Sequence, residues 1–154
     1  MTSRSPDPGH DRRIPAEALP ADERGLIAWI QLLRSRRVGP ATFIRLVSEH
    51  GSAQAALDAL PKVAAAAGVQ SYAPSRRDRA EDELAAGRAA GAAPLLLGAP
   101  DYPAELTTIA DPPPLLWVLG DADLLRCPAV ALVGARSASA LGQRMASRLA
   151  AELG

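Results

Sequence analysis

Apolar residues recur at steps of three and four over residues 22–60, which is the spacing that places them on one face of an α-helix. Val38-Gly39-Pro40 interrupts this pattern, because glycine can take a left-handed turn conformation and proline suits the first position of a helix. We expect the second helix to end at Gly51. Ser52 is a natural N-cap for a third helix, which Pro61 is expected to stop. The segment therefore predicts three compact helices.

A fourth helix is expected between Ser75 and Ala90, with Ser75 as its cap and Gly91 as its stop. Its first two turns contain both acidic and basic residues. A helix of mixed charge is typical of a solvated surface. We therefore predict a connecting helix with little buried area.

After Gly91 the helical spacing gives way to short apolar runs bounded by glycine and proline. The runs are Pro94–Gly98, Leu115–Gly120 and Ala129–Gly134. Continuous apolar runs suit strands that are buried on both faces of a parallel sheet. Helical turns are expected over 102–109 and 121–125, and a helix over 141–153. The alternation predicts an α/β fold with a doubly wound parallel sheet.

The sequence divides into four predicted parts: a disordered tail at 1–21, a small helical domain at 22–72, a connecting helix at 73–92 and a partial Rossmann-like domain at 93–154. Three parallel strands would leave two open edges, whereas open α/β sheets commonly have about five or six strands. We therefore expect a truncated sheet, belonging to the N-terminal part of a longer protein.

Composition narrows the possible classes of protein. The 154 residues carry 17 basic and 17 acidic side chains and are 48% hydrophobic, which indicates a globular chain without a uniformly basic surface. One cysteine, Cys127, cannot form an internal disulfide, and two histidines are too few for the usual zinc cluster. The polar first 15 residues and the lack of a long apolar run predict a cytoplasmic protein with no membrane segment.

The candidate site is the predicted strand-turn-helix around Gly134. Free N–H groups at a helix N-terminus favour an anion, and an arginine can add a bidentate contact to it. The residues in question are Gly134, Ala135, Arg136, Ser137, Ser139 and Gly142. On the turn alone, an anion site and a plain turn with a solvent-facing arginine are both open.

Two common nucleotide motifs do not fit this turn. The dinucleotide fingerprint needs glycine where Arg136 and Ser139 stand, and the Gly-Lys-Ser/Thr end of a P-loop is absent. Nucleotide hydrolysis is therefore not supported, and no cofactor is expected.

A second candidate is the segment from Leu32 to Leu46, which has the pattern of a helix-hairpin-helix unit. Its glycine-containing hairpin can present backbone N–H groups to a phosphate. The simpler interpretation, which we favour here, is that the hairpin only turns the chain. Arg34, Arg36 and Arg37 would then form a solvated face.

Two linked motifs resemble the DNA-processing protein A family, called DprA or Smf. They read Tyr102-Pro103-x-x-Leu106-x-x-Ile109-x-Asp111-Pro112-Pro113-x-Leu115 and, after Gly120, Val130-Ala131-x-Val133-Gly134-x-Arg136-x-x-Ser139-x-x-Gly142. The hairpin at 38–40 and the turn at 50–52 resemble that family's N-terminal helical, SAM-like domain. The resemblance covers about residues 24–154.

This resemblance implies a cytoplasmic protein that binds single-stranded DNA and loads the RecA recombinase during natural transformation. It also implies a Rossmann-like domain, a homodimer, and neither catalytic turnover nor a cofactor. Gly134, Arg136, Ser139 and Gly142 would line the DNA pocket by position. Ala135 stands where the family often has serine, and Leu141 where it often has tyrosine, so a hydroxyl and a ring are missing.

Two other functions stay open at this point. The first is a nucleotide-binding enzyme of the phosphoribohydrolase type, which would hold a nucleoside monophosphate at the same turn. Such an enzyme would need a second glycine-rich motif with a catalytic glutamate, and this sequence does not contain one. The second is a fragment without activity of its own.

Overall fold

The computed structural model describes residues 14–153. Helices α1 to α4 come first, a two-stranded sheet follows, and α5 ends the described chain. The elements are α1 (Glu23–Leu33), α2 (Pro40–His50), α3 (Ala53–Ala66), α4 (Arg77–Ala89), β1 (Ala92–Leu96), β2 (Leu115–Leu119) and α5 (Ala140–Leu153). Short 3-10 helices occupy Ala16–Ala18, Ala104–Thr108 and Ala122–Arg126. No helix within 14–153 is long and apolar enough to cross a bilayer.

The three predicted N-terminal helices are confirmed, and their ends follow from local chemistry. The Asp22 carboxylate accepts a hydrogen bond from the Gly25 amide at 2.7 Å and caps α1. Gly51 ends α2 with a left-handed φ of 77°, a conformation that favours glycine. The Ser52 hydroxyl then accepts from the Ala55 amide at 3.1 Å and starts α3.

Two details of this helical unit differ from the prediction. Pro61 does not stop α3, which continues to Ala66. Pro61 is exposed, and the turn beyond it packs Val63 and Ala64 onto the core, which offsets the one lost backbone hydrogen bond. Gly39 is extended, with φ −87°, and the left-handed residue of the hairpin is Arg37, with φ 64°.

The fourth helix is packed on α1 and is more than a connector. Ala80 and Leu84 are buried on its inner face, while most of its other positions are exposed as predicted. Ser75 does not cap it. The Ser75 amide donates to the Ser35 hydroxyl at 2.9 Å, and its carbonyl accepts from the Gln31 side chain at 2.7 Å. Ser75 thus ties the α4 entrance to the end of α1.

The first two predicted strands form, but the predicted parallel pairing is wrong for them. β1 and β2 are antiparallel, with Ala92 opposite Leu119 and Leu96 opposite Leu115. A parallel pair needs a crossover that carries the chain back along the sheet, usually a helix. The connection here holds one five-residue 3-10 helix, so β2 returns in the opposite direction. The α/β character of this region is confirmed.

The third predicted strand is not formed within the described chain. Residues 129–134 have no regular secondary structure and no strand partner within the described chain, and Val133 is 93% exposed. α5 forms as predicted, yet none of its side chains is buried, including the apolar row Leu141, Met145, Leu149 and Leu153. Residues 14–153 therefore contain a two-stranded sheet, and the doubly wound sheet is not assembled from them.

Part of the predicted disordered tail is ordered. Ile14 and Ala18 are buried in the same apolar core as Leu95 and Leu97. Gly98 makes this contact possible: its φ is 97°, and an added Cβ would lie 3.1 Å from the Ile14 carbonyl oxygen. Residues 1–13 of the predicted tail lie outside the described residues.

The core is centred on Trp29, which is fully buried. Its ring packs edge-on against Phe43, with ring centroids 4.8 Å apart. The Trp29 indole N–H donates to the Pro114 carbonyl at 3.1 Å, just before β2. One side chain of α1 therefore joins the helical unit to the sheet.

A second tie runs through Glu83 of α4. Arg34 Nε and Nη2 donate to its two carboxylate oxygens at 2.8 and 2.7 Å, and Trp117 Nε1 donates at 3.0 Å. The hydrogen bond from Arg34 holds the pKa of Glu83 below its usual value of 4.5. The trio connects α1, α4 and β2.

Gly87 is expected to tolerate no side chain. An added Cβ would lie 2.6 Å from the nearest ring carbon of Trp117. Gly87→Ala should therefore destabilise the protein by about 1–3 kcal/mol of overpacking, although alanine alone favours a helix by about 1 kcal/mol. Urea unfolding followed by circular dichroism measures the change. The same substitution in a Trp117→Leu background is the control; a stabilised single variant would contradict the close packing.

Glu83→Gln should lower the free energy of unfolding by about 1–2 kcal/mol at pH 7. The reason is that the Glu83 side chain is only 25% exposed and its hydrogen bonds with Arg34 are charge-assisted. Because the pKa of Glu83 is lowered in the folded protein, its contribution to stability is complete above pH 4.5. That contribution is lost as the pH falls through the folded-state pKa of Glu83. The difference between wild type and variant should therefore shrink in acid. Urea titrations over a pH series test this, with Glu49→Gln, the exposed partner of Arg45, as control. A difference independent of pH would contradict it.

Candidate nucleic-acid interface

The predicted anion site, residues 134–142, lies at the entrance to α5. Gly134 and Ala135 have no regular secondary structure, and the chain bends at Arg136 and Ser137. Gly134 does not take a left-handed conformation, and the bend lies two residues beyond it. All four residues are exposed to solvent.

Ser139 has a defined task at the helix start. Its hydroxyl accepts a hydrogen bond from the Gly142 amide at 3.2 Å, and its carbonyl accepts from the Gln143 amide at 2.9 Å. The Ser139 side chain thus caps α5 by accepting a hydrogen bond from one of the N–H groups that have no partner within the helix. A Cβ on Gly142 would meet only ordinary contacts at 3.6 Å, so the fold itself does not require glycine there.

Arg136 is exposed, and within residues 14–153 it makes no hydrogen bond or ion pair. Arg148, further along the same helix, differs because it pairs with Glu152 at 2.7 Å. Of the six predicted site residues, the structure therefore leaves Arg136 with an unengaged charge beside a helix N-terminus. That arrangement can hold an anion by a charged contact together with backbone N–H groups.

The hairpin between α1 and α2 presents fewer free cations than the sequence indicates. Arg34 is engaged by Glu83, whereas Arg36 and Arg37 are exposed and have no carboxylate partner in the described chain. The Tyr72 hydroxyl donates to the Arg36 carbonyl at 2.6 Å and ties the hairpin to the segment that follows α3. This bond spans 36 positions, so the sequence carries no local signal for it.

Two family models match the chain. Residues 23–86 match the DprA-like N-terminal HHH domain, and residues 94–154 match DNA recombination-mediator protein A. The chain belongs to the DprA family. The resemblance drawn from the motifs is thereby confirmed, and the helical segment of the DprA family corresponds to α1 through most of α4. A search of curated proteins returned no match.

The DprA-type motif at 102–115 now has a structural explanation. Tyr102 is buried and its hydroxyl donates to the Pro113 carbonyl at 2.9 Å. Pro112 and Pro114 are fully buried beside it. Proline fixes an extended backbone, so the carbonyls of this segment are held where Tyr102 and Trp29 reach them. These motif residues build the fold.

Ser139→Ala should loosen the first turn of α5. Loss of an N-cap costs a helix about 1 kcal/mol, which corresponds to a roughly five-fold faster exchange of nearby amide protons. Hydrogen-exchange NMR at Leu141 to Gln143 measures it. Ser147→Ala, in the middle of the same helix, is the control and should slow exchange or leave it unchanged. Equal exchange in wild type and Ser139→Ala would contradict the cap.

Proposed function

We propose that this chain acts as a recombination mediator that binds single-stranded DNA through its backbone phosphates. The observation that carries the proposal is the unengaged guanidinium of Arg136 at the N-terminus of α5, inside the segment that matches DNA recombination-mediator protein A. Phosphate is the anion that single strands present at every nucleotide, and arginine forms bidentate contacts with it.

The roles proposed for the site follow its geometry. Arg136 contacts a phosphate, and the α5 amides that Ser139 leaves free add backbone donors. Gly134, Ala135 and Ser137 keep the approach to Arg136 open, since each is exposed. Gly142 carries the amide that Ser139 caps. Contacts of this kind hold the backbone and carry little base specificity.

The wider role of the protein in recombination is proposed on the basis of its family. DprA-type mediators are recombination proteins, and we propose that this one loads RecA onto single-stranded DNA in the cytoplasm, acts as a homodimer and turns over no substrate. The division into a helical domain at 22–72, a connecting helix at 73–92 and a Rossmann-like domain at 93–154 is part of the same proposal. Within this division the connecting helix lies against the helical domain, since α4 packs on α1.

Arg136→Ala should weaken binding of single-stranded DNA by about 1–3 kcal/mol, and by the same factor for oligo-dT and for a mixed sequence. Fluorescence anisotropy across a sodium chloride series measures it, and the slope of affinity against salt should become shallower because one phosphate contact is lost. Arg148→Ala is the matched control, since Glu152 already neutralises that guanidinium.

Two results would contradict this proposal. One is unchanged DNA affinity in a folded Arg136→Ala protein, which would remove Arg136 from the interface. The other is displacement of DNA by a nucleoside monophosphate at matched ionic strength, which would favour a nucleotide-binding enzyme.

A further inference from the structure

A pocket of about 180 Å³ lies on the helical unit, between the hairpin, α2 and α3. Its floor is aliphatic, with the buried side chains of Leu46, Leu60 and Ala64. Its rim carries three arginines, Arg36, Arg37 and Arg45. We call it the α2–α3 pocket. It lies on a part of the chain different from the α5 entrance.

The charge at the rim is positive and largely unmatched. Arg36 and Arg37 have no carboxylate partner in the described chain. Arg45 is matched by Glu49 at 3.0 Å, so one acidic group also stands near the rim. On the neighbouring α1–α4 face, by contrast, Arg34 and Arg88 are paired with Glu83 and Glu23. Unmatched cations around an apolar floor favour a ligand with acidic groups around an apolar centre.

The rim is also held in place. Arg37 has a φ of 64°, a left-handed conformation that non-glycine residues adopt rarely and at some cost. The Tyr72 hydroxyl donates to the Arg36 carbonyl, and the Arg36 guanidinium lies 5.9 Å from the centre of the Tyr72 ring. The two guanidinium groups therefore start from a hairpin whose backbone is fixed, which reduces the ordering cost of binding.

We propose that the α2–α3 pocket binds an acidic peptide segment of a partner protein, with one bulky apolar side chain seated on the floor and carboxylates on Arg36 and Arg37. The volume agrees with a single side chain: a cavity of about 150 Å³ admits benzene, whereas pockets for drug-sized ligands run from about 300 to 1,000 Å³. An apolar anchor surrounded by charged rim contacts is a common form of peptide recognition.

The same features fit a nucleotide poorly. A base buried on this floor would leave its polar edges beside Leu46, Leu60 and Ala64, which offer no side-chain hydrogen-bond partners. Bases held without sequence preference stack on open aromatic faces. The one ring at the pocket, Tyr72, is half-buried and already has a guanidinium over it. The aliphatic floor therefore favours a side chain over a base.

The test uses the 154-residue chain and the probe peptide Asp-Glu-Asp-Phe-Asp-Glu-amide, which carries fluorescein on its N-terminal amine. Binding is followed by fluorescence anisotropy in 50 mM and 300 mM sodium chloride, conditions that separate the charged contacts from the apolar one. We expect the wild-type protein to bind the probe at least ten-fold more tightly than a peptide in which serine replaces phenylalanine. Affinity for the probe should fall at the higher salt concentration.

Two protein variants locate the binding. Ala67→Trp fills the pocket from its exposed rim and should weaken binding ten-fold or more without removing a core side chain. The double variant Arg36→Ala/Arg37→Ala should weaken binding to a similar extent and remove most of its salt dependence. Arg79→Ala, an exposed arginine of α4 outside the pocket, is the control and should bind as wild type.

Three outcomes would overturn the proposal: equal affinity for the phenylalanine and serine peptides, unchanged binding in Ala67→Trp, or displacement of the probe by oligo-dT that is as effective in Arg136→Ala as in the wild type. The last outcome would make the pocket a DNA site. Arg136→Ala should leave peptide binding unchanged, so failure of the DNA proposal at α5 and failure of this one give different results.

Discussion

The carbonyl of Pro114 accepts two hydrogen bonds, from the Leu97 amide and from the Trp29 indole, each at 3.1 Å. The first sets the end of β1 against the start of β2, and the second brings α1 onto that pair. Because Trp29 is fully buried, its N–H would be left without a partner if the carbonyl moved, and an unpaired buried donor costs about 1–3 kcal/mol. The position of the helical unit on the sheet depends on this junction.

The junction is supported from both sides. Phe43 packs on the Trp29 ring from α2, and the Pro112–Pro114 segment, held by Tyr102, supplies the carbonyl. Glu83 provides a second such junction, because its carboxylate accepts hydrogen bonds from Arg34 at the end of α1 and from Trp117 of β2. Helices and sheet consequently share one core, and the family's two matched segments meet inside it. Residues 127–153 stand apart from that core, since none of them is buried.

The arginines of the described chain differ in whether a carboxylate pairs with them. Arg34 and Arg88 are matched by glutamates across the α1–α4 contact, where they hold two helices together. Arg36, Arg37 and Arg136 lie in turns without carboxylate partners in the described chain. A zero net charge is therefore compatible with anion recognition, because acidic side chains neutralise the packing face more than the turns.

The sequence by itself determined what depends on neighbouring residues: the caps at Gly51 and Ser52, the start of α2 at Pro40, the helix α5 and the family motifs. Only the tertiary structure decided strand direction, the passage of α3 through Pro61, the burial of Ile14 and the engagement of Arg34 by Glu83. Each of these depends on groups far apart in the chain. Packing and long-range hydrogen bonds then outweigh the local conformational preference of a residue. A pattern of apolar runs predicts that strands form, but it does not distinguish a parallel from an antiparallel partner.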